Sequence, residues 1–365
     1  MRILGVGIAT LDIINTVAGY PDEDSEVRAL DQRRSRGGNA TNTLTVLAGL
    51  GHACSWAGVL PEEPDAVEVE RQLAHAGIDM QHVMRLKQGK MPTSCITLNT
   101  RNGSRTIIHY RDLPEYRSEW FSGVDLRSFD WLHFEGRAPA ELALMLERAG
   151  RSDRRFSLEV EKPREGIERL LHLPDVLLFS KQYARANGFE NAAAFLEAHA
   201  RHAGQKRPLL FCSWGDAGAW ALTRDDMLYH QPAFDVPVVV DTVGAGDVFN
   251  ASTLGGAKAL ERSDLGRLAQ LGRDGVLALL ESGVINNSRK KINPGRVVTG
   301  FTMGSDRLYR FVDDNPEVTF LDIQFGFDHI GDTGSAFHMA GRTAADTYQV
   351  FSPRSKAECF VEGRY

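Results

Sequence analysis

The residues best suited to chemistry lie in DTVGAGDVFNA, residues 241 to 251. This stretch follows the apolar run Pro237 to Val240, which reads as a buried strand, and leads into Val248 to Leu260, whose composition predicts a helix. Gly244 and Gly246 have no Cβ, so the amides of Gly244, Ala245, Gly246 and Asp247 can converge on one point where the helix dipole favours an anion. Asp247 stands inside that turn, where a carboxylate can take the proton of a hydroxyl that attacks a phosphate. An anion hole beside a base points to phosphoryl transfer. The same letters also describe an ordinary helix start, with glycines for packing and a first-turn carboxylate, so this motif alone leaves both readings open.

The elements that would position such a turn follow from the rest of the pattern. Apolar runs ending in a polar residue recur at Trp131 to Glu135, Phe156 to Glu161, Val176 to Lys181 and Leu209 to Trp214, separated by helix-like stretches such as Ala138 to Ala149 and Asn191 to His202. This alternation predicts an α/β chain with a mostly parallel sheet, whose ligands bind beyond the carboxyl ends of the strands. Glu135, Glu161, Lys181, Trp214 and the glycine turn all fall at such ends. Each alone also reads as a residue leaving the core for solvent; together they define one rim. Residues 12 to 36 and 91 to 115 break the alternation with short segments such as Thr93 to Leu98 and Thr106 to Tyr110, around an Asn102-Gly103 turn, and predict antiparallel strands and a hairpin. The apolar N-terminal run Ile3 to Ile14, interrupted by Gly5, Gly7 and Asp12, reads as a first strand rather than a targeting segment.

Composition narrows the function classes. A chain of 365 residues with 42% hydrophobic residues can bury a sizeable core in one large domain or two. A formal charge of -6 gives no basic field for nucleic acid or an anionic membrane. No apolar run approaches the length of a membrane span. Cys54, Cys95, Cys212 and Cys359 are scattered, with neither metal spacing nor a disulfide framework, which predicts a reducing, cytoplasmic compartment.

Over its full length the 241 to 251 motif resembles the second signature of the ribokinase-like (PfkB) sugar kinases, and RGGNATN at 36 to 42 resembles their first. The resemblance implies a three-layer α/β/α ribokinase-like fold with a small β lid, formed by about residues 12–36 and 91–115, that closes over the sugar and often pairs two subunits. YPDEDSEVRALDQRRSRGGNATN at 20 to 42, GSRTIIHY at 103 to 110, WLHFEGR at 131 to 137 and LEVEKPRE at 158 to 165 are similar to the ketose 1-kinase subgroup. That likeness implies transfer of phosphate from ATP, with Mg²⁺, to the C1 hydroxyl of a ketohexose such as fructose, by a homodimer joined through the lid. At the matching positions Asp247 would be the base, with Gly244, Ala245 and Gly246 forming the anion hole. Asp12, Gly38, Asn39 and Asn42 would hold the sugar. Arg105, Lys181, Trp214 and Gly218, with Gly244 and Gly246, would lie along the nucleotide.

Several of these residues have a second reading. Asn39 and Asn42 could cap a helix starting near Ala40, Arg105 could be a solvated hairpin residue, Glu135 and Arg137 an internal ion pair, and Trp214 a packed tryptophan. No dense carboxylate cluster suggests a protein-only metal cage, so the ion would be held by phosphates and water. Another PfkB-type sugar or nucleoside kinase, and a sugar-binding protein with a damaged nucleotide site, are the alternatives.

The likeness to the sugar kinases runs from residue 1 to about 270, and QFGFDHIGD at 324 to 332 resembles their C-terminal end. Between them, residues about 275 to 320, with RLYRFVDDNP at 307 to 316 as the clearest piece, resemble a fragment of the acetyl-CoA hydrolase and transferase family. The expected organisation is a kinase domain over 1–271, an inserted segment over 272–323, a kinase-like end at 324–332 and a tail over 333–365.

Overall fold

The computed structural model describes residues 1–200, 207–233, 244–255 and the strands at 298–301, 308–311, 324–329, 335–342, 347–351 and 360–362. The chain divides into two compact units, Met1–Ala233 with Val239–Leu279, and Phe234–Val238 with Leu280–Tyr365. The run Pro237 to Val240, residues 201 to 206, Asp241 to Val243 of the glycine motif and the part of the expected helix beyond Gly255 lie outside the described residues.

In the first unit the strands are β1 (Arg2–Val6), β2 (Thr10–Val17), β3 (Asp31–Gly37), β4 (Ala53–Ala57), β5 (Val59–Pro61), β6 (Met84–Leu86), β7 (Thr93–Asn99), β8 (Arg105–Tyr110), β9 (Trp131–Glu135), β10 (Arg155–Val160), β11 (Val176–Ser180), β12 (Leu209–Ser213), β13 (Ala219–Leu222) and β14 (Leu228–Gln231). The helices are α1 (Asn39–Gly49), α2 (Pro64–His75), α3 (Ser118–Ser122), α4 (Pro139–Gly150), α5 (Lys181–Ala186), α6 (Ala192–Ala200) and α7 (Ala245–Gly255). An eight-stranded sheet runs in the order β14-β13-β12-β11-β10-β9-β1-β4. It is parallel from β4 to β12, with β13 and β14 added antiparallel. All five residues of β9 are buried, as expected for a strand with both faces covered.

The core shows why these runs become these elements. Leu142, Met145, Leu146 and Ala149 repeat at helical spacing and form the buried face of α4, whose first residue, Pro139, has a ring that suits a helix start. Phe134 of β9 meets Phe121 and Phe156 edge to face, with ring centroids 5.7 and 6.1 Å apart. Phe179, Tyr183 and Phe195 make a second aromatic cluster beneath β11 and α6.

The lid is a four-stranded sheet, β3-β2-β7-β8, in which β2 and β7 are parallel and the outer pairs antiparallel. The hairpin expected at Asn102-Gly103 joins β7 and β8, with Gly103 at φ 69°. The run Ile3 to Ile14 is two strands rather than one, because the chain leaves the large sheet after Val6 and enters the lid at Thr10. The break is fixed by polar contacts: the Gly7 amide donates to the Ala57 carbonyl at 3.2 Å, and the Ile8 amide to Oε2 of Glu135 at 3.0 Å.

The second unit contains an antiparallel pair, β15 (Val298–Phe301) with β16 (Leu308–Phe311), and an antiparallel sheet in the order β17 (Gln324–His329), β18 (Ser335–Arg342), β19 (Thr347–Phe351) and β20 (Phe360–Glu362). Among the described residues no helix is long and apolar enough to cross a membrane.

Candidate active site

The site begins where the lid strand β3 turns into α1. Gly38 is the residue before that helix, at φ 104° and ψ 130°, and a Cβ there would lie 2.3 Å from the Ile8 carbonyl oxygen. Only glycine combines that backbone with that approach. No side chain caps the helix. The capping reading of Asn39 and Asn42 therefore gives way to another use of both amides.

Asn39 turns to the rim of the large sheet, its Nδ2 donating to Glu159 Oε1 at 3.1 Å and Glu161 Oε2 at 3.2 Å. Asn42 turns to α7, its Nδ2 donating to Asp247 Oδ2 at 2.7 Å, while its Oδ1 accepts from Nη1 of Arg36 at 2.6 Å. The two sequence signatures, more than two hundred positions apart, thus meet through one hydrogen bond. On the lid side Asp12 is buried and accepts from the Thr10 hydroxyl at 2.9 Å. Cross-strand pairing places Asp12, Ser94 and His109 in one row over β2, β7 and β8, and Ser94 Oγ lies 3.2 Å from His109 Nδ1.

Asp247 is buried in the first turn of α7. Burial and the carboxylates of Glu135 and Glu161 push its proton affinity well above that of an ordinary aspartate, while the Asn42 amide and the Arg36 guanidinium oppose the rise. Glu159 is raised in the same way, by burial and by Asp247, Glu135 and Glu161, and its Oε2 is buried with no hydrogen-bond partner among the described residues. Asp12 is raised too, by burial, against the hydroxyls of Thr10 and Ser94 and the charge of Arg36. Burial raises Glu135 as well, against the Arg137 guanidinium, so Asp247, Glu159 and Glu135 are interacting carboxylates of raised proton affinity, a pattern that marks a candidate site.

The glycine turn precedes Asp247. Gly244 has φ 81° and its carbonyl accepts the first helical bond, from the Val248 amide at 3.0 Å. A Cβ on Gly246 would meet nothing within 4 Å among the described residues, so packing does not account for that glycine. The amides of Ala245 to Asp247 head the helix, where an anion is favoured.

A second group lies at the ends of β11 and β12. Lys181 opens α5, its Nζ 3.8 Å from Asp216 Oδ1 and 5.8 Å from the centre of the Trp214 ring, against which Arg185 also rests at 6.0 Å. Trp214 is buried, and its amide donates to the Gly218 carbonyl at 2.7 Å. Gly218 has φ 93°, and a Cβ there would sit 2.1 Å from the Gln231 carbonyl oxygen, so the turn into β13 requires it. Arg105 belongs to neither group. It opens the exposed edge strand β8, four residues and so about 13 Å along the strand from His109.

Glu135 and Arg137 form the internal ion pair, with Arg137 Nη1 3.2 Å from Glu135 Oε1 and Arg137 Nε 2.8 Å from Glu115 Oε1; Arg111 Nη2 joins Glu115 Oε2 at 2.9 Å. Sequence reasoning missed Arg36, the first letter of RGGNATN, and Glu159, a charged residue inside an otherwise apolar strand. A buried charge within such a run was the available signal for Glu159.

A mostly parallel sheet with a small second sheet, a glycine turn opening a helix and a buried carboxylate fit a phosphotransferase, and the chain belongs to the pfkB family of carbohydrate kinases, whose model matches residues 2–291. It is by family an ATP-dependent sugar kinase. It is 42% identical over 262 residues to ketohexokinase from Mus musculus, an alignment covering 69% of this chain and 88% of that one. A 64-residue stretch, 18% of the chain, is 39% identical to 15% of 4-hydroxybutyrate coenzyme A transferase from Clostridium kluyveri. Among solved structures, ribokinase from Giardia lamblia superposes with a TM-score of 0.66 at 16% identity, over 77% of this chain and 93% of that one, which establishes the ribokinase-like fold.

Proposed function

We propose that this kinase transfers the γ-phosphoryl group of ATP to the C1 hydroxyl of a ketohexose, fructose being the substrate to test first. The observation that carries the reading is Asp247, a buried carboxylate of raised basicity at the head of α7, held by Asn42 from the other signature. Asp247 takes the C1 hydroxyl proton, and the C1 oxygen forms its bond to the γ-phosphorus as the bond to the bridging oxygen breaks. ADP leaves with that electron pair. Gly244, Ala245, Gly246 and Asp247 supply amides to the charge that develops on the transferring group.

Asp12, Gly38 and Asn39 line the sugar side. The two N–H groups of Asn39 are spent on Glu159 and Glu161, which leaves its Oδ1 to accept from a sugar hydroxyl. Asn42 has one N–H beyond its bond to Asp247 to offer the sugar. Trp214, Lys181 and Gly218 form the nucleotide side, where Lys181 is a point charge for phosphate and the indole a flat apolar wall. Arg105 reaches the nucleotide only from the lid, which by closing also keeps water from competing with the sugar. Mg²⁺ bound with the nucleotide would be held by its phosphates and by water and would supply screening of their charge.

The lid supports a homodimer. Its edge strand β8 exposes Ile107, Ile108 and Tyr110 at 48%, 72% and 55%. An apolar patch on a sheet edge is what a second copy covers. Residues 272–323 are an added segment without transferase chemistry of its own, since a preorganised site needs far more scaffold than the short match supplies. The cytoplasm, which supplies ATP and keeps thiols reduced, is the proposed location. Correlation of ³¹P with ¹H in the product tests the reading: coupling to the C1 methylene protons is expected, and coupling only at C6, or no fructose turnover, would refute it.

A further inference from the structure

Arg36 lies in the lid strand β3, opposite Leu11, two residues before the glycine that starts α1. Its amide donates to Gln72 Oε1 of α2 at 2.8 Å, and its Nη1 donates to Asn42 Oδ1 at 2.6 Å. Asn42 Nδ2 in turn donates to Asp247 Oδ2 at 2.7 Å. The orientation of the Asn42 amide follows from its neighbours. A guanidinium has donors only and an ionised carboxylate acceptors only, so the amide oxygen must face Arg36 and the amide nitrogen Asp247. Without Arg36 either end of the amide could turn to α7, and a carbonyl there would repel the carboxylate.

We infer that Arg36 is a positioning residue for the base, acting from the lid through the Asn42 amide to hold Asp247 in one orientation and in its charged form. This rests on the reading of Asp247 as the base. The charged groups around the relay make the second part necessary. Asp247 faces Glu135, Glu159 and Glu161, all negative when ionised; Arg137 pairs with Glu135 and Lys162 with Glu161, while Arg36 acts on Asp247 and also faces Asp12. Burial lowers Arg36 to about 10, which still leaves it charged at neutral pH. Because Arg36 belongs to the lid sheet, the relay also ties the base to the lid.

Steady-state kinetics of the full-length kinase with fructose and MgATP, followed across pH, test this. For Arg36→Met the expected result is a fall in kcat of roughly tenfold to a hundredfold from the misplaced base. The acid limb of kcat should also move up by about one pH unit, the low end of what a nearby opposite charge does once an amide intervenes. The KM for ATP should stay unchanged. Arg36→Lys should return the acid limb towards that of the wild type. If Arg36→Met does not fold, Arg36→Gln takes its place, since it keeps a donor and loses the charge and should shift the limb where Arg36→Lys does not. A wild-type kcat and acid limb in the uncharged variant, or the same limb for Gln and Lys, would overturn the inference. Asp247→Ala separates the two ideas: an inactive Asp247→Ala beside an unperturbed Arg36→Met refutes the role of Arg36 alone, and an active Asp247→Ala refutes the base itself.

Discussion

Replacing His133 by leucine should flatten the acid side of the stability profile, because a buried neutral imidazole gives way to a side chain that does not titrate. His133 is fully buried in the middle of β9, its Nδ1 2.9 Å from Ser157 Oγ and its Nε2 without a hydrogen-bond partner among the described residues. The Ser157 hydroxyl also accepts from Trp131 Nε1 at 3.0 Å. Burial lowers the imidazole from 6.5 to about 4, so the folded protein refuses a proton that the unfolded chain accepts. A depressed histidine contributes its full stability above the unfolded value of 6.5 and loses it as the pH falls towards about 4. Between about pH 7.5 and about pH 5 the loss integrates to about 2 kcal/mol. Urea unfolding at both pH values, on wild type and His133→Leu, reads it as a difference in which the packing cost of leucine cancels. The gap between the two proteins should move by about 2 kcal/mol in favour of leucine at the lower pH. A gap that changes by less than about 0.5 kcal/mol would refute the assignment of a buried, neutral His133.

Gly38→Ala puts a side chain into a sparsely populated backbone region that costs roughly 1–3 kcal/mol and against a carbonyl that cannot be passed, so the start of α1 must shift. The urea midpoint should fall and the KM for fructose rise, whereas an unchanged midpoint would show that the turn relaxes freely. Lys181→Met removes a phosphate-seeking charge from the ends of β11 and β12 and should raise the KM for ATP several-fold while the KM for fructose holds. Equal rises in both would remove Lys181 from the nucleotide side. Ile108→Asp places a charge on the exposed edge strand β8 and should turn a dimer into a monomer in sedimentation, with the fold retained. A wild-type sedimentation coefficient for that variant would move the interface elsewhere.

Much of the fold was legible because parallel strands buried on both faces leave unbroken apolar runs. Trp131 to Glu135 is a strand with the expected limits, and Leu209 to Trp214 differs from one by a single residue. The N-terminal run failed as one strand because both halves are apolar. What divides them is the Glu135 carboxylate on the Ile8 amide, a contact across more than a hundred positions that periodicity does not carry. The site shows the same contrast. Asp247 and the glycines could be singled out as candidates because the pattern that marks them is local in the chain, as is the likeness of RGGNATN to the first family signature. The use of Asn42 as a bridge between Arg36 and Asp247 was not legible, since it depends on α1 and α7 meeting in space. Glu159 was hidden for a related reason, its strand reading as core while its side chain serves the rim through Asn39.

The most direct test of the central claim is fructose-dependent ADP release with ATP and magnesium, run on wild type and Asp247→Ala beside calorimetric titration of fructose into each. The account predicts turnover by the wild type, loss of turnover in Asp247→Ala, and fructose binding in both. Turnover by Asp247→Ala at the wild-type rate, or a wild type that binds fructose and releases no ADP, would contradict it.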